Sequence, residues 1–279
     1  MRDFEEIKRE FDTLGICTDD VEFYNSKEFL AAEKNNPILL EAFAEFVVQK
    51  SYQEQYLERS RRIVPAVCEF LKNELILDGR LGACIDFAQT TGKIFEELNI
   101  WCVTMCGSLT VELGSGLNKS VRHWAHVSEP PVGSNAAGHA WLVAPPFNVI
   151  DMTIGLQKNT TDIQQLLPNE IIEEKTKYVE KVTLRDMLNV DLEMKLRLSG
   201  HPIPTIEELL DEVPDYARVL KKFKPFSVCT ENALLKYFPC AVNVLVERFD
   251  FVTTHCFSGQ TASELLSKMQ REIGEIIQN

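Results

Sequence analysis

The sequence predicts an α+β fold in which a helix bearing a cysteine packs on an antiparallel sheet, with helical additions at both ends. Three observations predict it. From Cys84 onward, Phe87, Ala88, Thr91, Ile94, Phe95 and Leu98 recur at helical spacing and form one apolar stripe. Two short apolar runs, Ala140-Trp141-Leu142-Val143 and Phe147-Asn148-Val149-Ile150, are separated only by Pro145-Pro146 and read as a β-hairpin. The flanks carry helical periodicity before residue 76, and capping-box patterns at Thr205-Ile206-Glu207-Glu208 and Thr261-Ala262-Ser263-Glu264.

Taken in order, residues 27–49 and 50–76 read as two helices rich in Leu, Phe, Ala and Glu. The second sets Tyr56, Ile63, Val64, Val67, Phe70 and Leu71 on one broad face, which predicts packing beside the Cys84 helix. Residues 100–113 read as a strand, and the hairpin spans 138–152. Ala241 to Val246 reads as a buried strand continuing toward Cys256. The last helix is predicted to bury Leu265, Leu266, Met269, Ile273 and Ile276. Lys221, Lys222 and Lys224 read as a solvated helix end. No Pro/Gly/Ser-rich boundary interrupts residues 1–279, so a single integrated domain is predicted.

At 279 residues the chain is long enough to bury a substantial core. A net charge of −13 argues against nucleic acid and anionic membrane surfaces as partners. The first ten residues are charged and do not read as a signal peptide, and no run approaches a membrane span. The eight cysteines, at 17, 68, 84, 102, 106, 229, 240 and 256, are scattered among mostly apolar neighbours. They read as reduced thiols of a cytoplasmic protein. Oligomeric state is not legible.

Three segments concentrate the chemistry: Gly82-Ala83-Cys84-Ile85-Asp86-Phe87-Ala88, Gly138-His139-Ala140-Trp141-Leu142-Val143, and Asn148-Val149-Ile150-Asp151-Met152-Thr153. A thiol at a helix start faces unpaired backbone N–H groups and the positive end of the macrodipole, both of which favour the thiolate. Gly82 permits a tight turn just before it. His139 opens one strand and Asp151 closes the next, twelve residues later. Neighbouring antiparallel strands of that length set the two side by side. Asp151 then holds one imidazole nitrogen and leaves the other for the thiol. Trp141 reads as a wall of the site or of the core. Asp86 reads as a structural acceptor rather than a base.

The order G-x-C-x-[DE]-x-A, a helix ending in Leu98-Asn99-Ile100, a strand, His139-Ala140-Trp141, and an apolar-Asp-x-Thr strand resembles the transglutaminase-like superfamily. The resemblance covers about residues 62–156. It implies a papain-like core there, flanked by a helical N-terminal extension (1–61) and a mixed helix/strand C-terminal extension (157–279). It also implies a Cys84–His139–Asp151 triad that works on amide bonds through a thioester. The expected activity is that of a peptidase- or amidase-type cysteine hydrolase acting on a peptide or protein, without cofactor or metal. Cross-linking by acyl transfer is the alternative within the class. Arylamine N-acetyltransferase-like enzymes share the glycine-cysteine start but follow the Cys with Glu-x-Asn, where this chain has Asp86-Phe87-Ala88. The alternative from another class is a non-catalytic binding module on the same scaffold.

Two points fall outside the pattern. No local motif selects the upstream oxyanion-hole side chain among Gln53, Gln55 and Tyr56, which leaves the Cys84 backbone N–H as the donor. Cys102-x3-Cys106 followed by His123-x2-His126 is a loose zinc-like spacing. The two cysteines fall on one face of a predicted strand, whereas structural zinc thiols come from tight turns, so no metal is expected. The loop from Gly114 to Ala137, which carries both histidines around Trp124, is longer than a minimal core needs.

Overall fold

A computed structural model describes residues 2–80, 82–114, 120–124, 138–157, 164–188, 190–247, 249, 252, 257 and 259–278, without the side chains of 120–124, 190, 191 and 278. The predicted strand at 100–113 is β1 (Val103–Leu113), and it is buried along nearly its whole length. One edge is shared. Its first half pairs with β3 (His139–Ala144) and its second half with β2 (Ser120–Trp124). The other edge pairs with β8 (Ala233–Asn243). The hairpin partner β4 (Phe147–Asp151) follows β3, and β5 (Ile171–Glu173) follows β4. On the far side, β7 (Phe226–Cys229) and β6 (Lys177–Tyr178) complete an eight-stranded sheet in which every neighbouring pair is antiparallel. The fold is therefore α+β, as the sequence predicts.

Side-chain alternation along β1 divides the interior into two layers. Val103, Met105, Leu109 and Val111 pack with Trp141 and Val143 against Phe11 of α1 (Phe4–Thr13) and Phe43 and Phe46 of α3 (Leu39–Gln49). On the other side, Cys102 and Cys106 join Ala140 and Leu142. That layer packs under α5 (Cys84–Glu97) and α4 (Glu54–Asp78), and α10 (Ala262–Gln278) closes it. A third, smaller layer rests on Phe238 and Cys240. It draws on α6 (Leu184–Met187), α8 (Ile206–Glu212) and α9 (Pro214–Lys222), with Leu192 from α7 (Val190–Leu198).

Several predicted elements shift. The single helix expected at 27–49 is two, α2 (Lys27–Glu33) and α3, because Pro37 disfavours helical backbone at the residue before it. The strand expected at 241–246 is the end of a longer one that starts at Ala233 and stops at Asn243. Pro239 masks its first part, since proline reads as a strand breaker. It is tolerated here because it lies opposite Gly107, where the β1–β8 register shifts. Ile276 is 38% exposed rather than buried: the backbone leaves helical geometry at Ile273, and Ile277 rather than Ile276 packs on the core. Both capping boxes are present, at Thr205/Glu208 and Thr261/Glu264. Lys222 is not free in solvent but pairs with Glu41 at 2.7 Å, while Lys221 and Lys224 are exposed. Among the described residues no helix is long and apolar enough to cross a membrane.

Gly107 admits β8 closely. A Cβ there would collide with the Phe238 backbone carbonyl. Gly107→Ala is expected to lower stability by about 3 kcal/mol, measured by denaturant unfolding, because backbone rather than a flexible side chain must give way.

Candidate functional site

The helix start predicted at Cys84 is observed: Cys84 is the first residue of α5. Gly82 precedes it at φ +83°, a left-handed conformation that glycine adopts without a steric penalty. Ala83 occupies the N-cap and has no side-chain oxygen, so the first-turn N–H groups receive no cap from it. Arg80 Nη1 donates to Asp86 Oδ2 at 3.0 Å and also pairs with Asp78, which ties the entry loop to the first turn. Asp86 is thus an acceptor in an ion pair, as read from the sequence.

Further along, α5 is anchored by a buried ion pair, Lys93 Nζ to Glu96 Oε2 at 2.6 Å. The Tyr24 hydroxyl donates to Glu96 Oε1 at 2.6 Å. Cys84 itself is 7% exposed.

His139 and Asp151 come together across the β3–β4 hairpin. His139 Nε2 donates to Asp151 Oδ2 at 2.7 Å, and both side chains are fully buried. A carboxylate in such a place needs donors on every lone pair. Oδ1 accepts the Thr153 and Ile154 backbone N–H groups at 3.2 and 3.1 Å and the Thr153 hydroxyl at 3.3 Å. Oδ2 accepts a further bond from the Tyr237 hydroxyl of β8 at 3.1 Å.

With Nε2 held by Asp151, the imidazole nitrogen left for a thiol is Nδ1. Burial lowers the His139 pKa, but the Asp151 charge and hydrogen bond outweigh it. A hydrogen bond and charge interaction with Cys84 add to the rise, and the net result is a pKa well above the ordinary imidazole value. The three residues singled out in the sequence therefore converge, from a helix start and two strand ends.

Trp141 is 1% exposed, its ring stacked at 6.5 Å from that of His139. It packs edge-on against Tyr237 at 5.1 Å. It is both core and the wall behind the histidine.

Gln53, Gln55 and Tyr56 lie elsewhere. Arg59, on the second turn of α4, donates to the Leu98 carbonyl at the C-terminal end of α5. The start of α4 therefore lies at the end of α5 remote from Cys84, which is about 21 Å away at 1.5 Å per residue. The Tyr56 hydroxyl is also occupied by the Trp101 backbone N–H.

Two residues missed in the sequence matter instead. Tyr237 sits in the stretch that Pro239 hid. Gln157 lies beside Gly82, its Oε1 3.6 Å from where a Cβ would stand, and its Nε2 donates to Thr153 O. It links the turn after Asp151 to the turn before Cys84. No local spacing marks either residue. The signal for Tyr237 is alternation with Leu235 on the face that also carries Trp141.

Cys102 and Cys106 share one buried face, and the Cys102 thiol donates to the Gly92 carbonyl. The backbone of His123 pairs with Thr110 across β1 and β2, while His126 and Cys256 lie outside the described residues. Among the described residues no group of three or more His, Cys, Asp and Glu is placed to hold a metal. No family model matches this chain, and comparisons with curated proteins and with solved structures find no match.

Folding raises the His139 pKa, so the folded protein keeps a proton that the unfolded chain releases near 6.5. The stabilisation is complete below that value and is lost as pH rises toward about 10. Wild-type stability is expected to decline over this window, and Asp151→Asn to flatten that part of the profile, as read by urea unfolding at fixed pH steps. Tyr237→Phe removes a hydrogen bond to a buried charge and is expected to cost about 2 kcal/mol. A value near zero would show that Asp151 does not depend on the phenol.

Proposed function

We propose that the chain is a cysteine-dependent enzyme of transglutaminase-like type, with a papain-like core, that cleaves amide bonds in a peptide or protein through a thioester. The observation that carries the reading is the buried 2.7 Å contact between His139 and Asp151, with Cys84 acting on the same imidazole. A buried His–Asp pair alone is compatible with a structural role. A thiol at a helix start that interacts with the same imidazole is what supports nucleophilic chemistry.

In this mechanism the Cys84 sulfur attacks the carbonyl carbon. The backbone N–H groups at the start of α5 receive the developing oxyanion. His139 gives its proton to the departing amine nitrogen as the C–N bond breaks, leaving the acyl group on sulfur. Water then attacks the thioester, His139 takes its proton, and the C–S bond breaks to release the acid. An amine in place of water gives acyl transfer by the same steps. Asp151 fixes the ring and stabilises the imidazolium without itself being protonated. Tyr237 and Thr153 hold Asp151 and act only through it. The described cysteines are all free thiols, which suits a reducing compartment such as the cytoplasm.

Cys84 is expected to be the thiol alkylated fastest by iodoacetamide at pH 6 to 7. Cys17 and Cys229 are exposed, and burial pushes Cys106 and Cys240 up to about 12. Faster labelling of a nearly buried Cys84 therefore reports chemistry rather than access. Peptide mapping that finds Cys17 or Cys229 labelled first removes the nucleophile assignment.

Asp151→Asn keeps the shape but removes the charge that supports the imidazolium. Turnover of an amide or thioester substrate is expected to fall on the order of 10²-fold or more. Cys84→Ala is expected to be inactive yet folded, and the double variant no worse than Cys84→Ala alone. Near-normal turnover in Asp151→Asn places the orienting group elsewhere.

A further inference from the structure

The nucleophilic thiol belongs to the α5 side of the sheet. On the opposite side, the one covered by α3, a cavity of about 120 Å³ is walled by Trp141 and Val143 of β3, Phe226 of β7 and Phe223 just after α9. Phe223, Phe226 and Trp141 are buried, whereas Tyr178 and Lys224, which also line it, are exposed and form its mouth. The volume suits a single ring, since an apolar cavity of about 150 Å³ accepts benzene. Trp141, Tyr178, Phe223 and Phe226 give the cavity an aromatic lining, surroundings that a planar ring packs against well.

The mouth has a definite charge. Lys224 Nζ lies 5.4 Å from the centroid of the Tyr178 ring, and among the described residues no carboxylate is within ion-pair distance of it. An anionic group arriving there displaces no protein carboxylate.

We propose that this cavity binds a small aromatic monocarboxylate, its ring against Trp141, Phe223 and Phe226 and its carboxylate on Lys224. Such a ligand reaches the triad through Trp141, whose ring stacks at 6.5 Å from that of His139, and through Phe226, which stacks at 5.1 Å on Tyr237, the phenol that donates to Asp151. It therefore sits at a site separate from the thiol, behind the side chains that hold the imidazole and its carboxylate. The binding does not depend on what Cys84 does.

Benzoate is the probe, with benzamide as its neutral counterpart, titrated into the full chain and followed by NMR of the Trp141 and His139 rings. Saturable benzoate binding with a dissociation constant on the order of 1 mM or tighter is expected for nine heavy atoms. Both rings should shift, and benzamide should bind more weakly. Lys224→Ala is expected to weaken benzoate about three-fold, the size of a partly exposed ion pair, and to leave benzamide unchanged. Val143→Phe fills the cavity and should abolish binding of both. Val48→Phe fills it from the α3 wall and serves if the first variant folds poorly. The proposal is overturned if benzoate leaves the Trp141 ring unmoved, if benzamide binds equally well, or if either folded filling variant still binds.

Discussion

The carboxylate of Asp151 is the constraint around which the rest is arranged. A charge with no exposure to water is strongly unfavourable unless donors surround it. Those donors come from three parts of the chain: His139 from β3, the Thr153–Ile154 turn from the end of β4, and Tyr237 from β8. Residues far apart in sequence must be in place together, or the carboxylate is left uncompensated. Removing any one donor is therefore felt at the others, and the hairpin cannot slip in register without losing the His139 contact.

β1 transmits this requirement. It pairs with β3 on one edge and β8 on the other, and so holds His139 and Tyr237 at a fixed separation across a single strand. The register shift at Gly107 lies level with His139 on one side and Pro239 on the other. A glycine is needed there because the Phe238 carbonyl occupies the space of a side chain. The strands contributed by residues 226–243 therefore belong to the same sheet as the triad, and the sheet crosses the boundary expected at residue 156.

The thiol is set from the other layer. α5 is locked along its length by the buried Lys93–Glu96–Tyr24 group and by apolar packing against α4. Its first turn is fixed by Arg80 and by the left-handed Gly82. The helix is therefore rigid where it packs, while its N-terminal amides have no side-chain cap from Ala83. A rigid helix whose N-terminus lies at the thiol is what a site needs for charge that appears only during reaction.

The sequence by itself determined the parts that depend on short-range pattern. Cys84 at a helix start follows from the spacing of Phe87, Ile94 and Phe95, and the hairpin from two apolar runs about a diproline. The capping boxes follow from Thr and Glu three apart. The approach of His139 to Asp151 follows from the same hairpin pattern, because antiparallel strands set the two on one face, diagonal to each other beyond the Leu142–Ile150 pair. What only the tertiary structure decided are contacts whose partners lie far apart in sequence. The Tyr237 bond to Asp151 spans 86 residues and is hidden by a proline that only a bulge makes acceptable. Gln157 meets Gly82 through a turn that no periodicity marks. The remoteness of Gln53, Gln55 and Tyr56 from Cys84 follows from α4 running antiparallel to α5, an orientation set by packing of apolar faces rather than by residue spacing. Local pattern encodes dihedral preference and facing. Which faces meet is settled by the collective burial of apolar area, and no single segment contains that information.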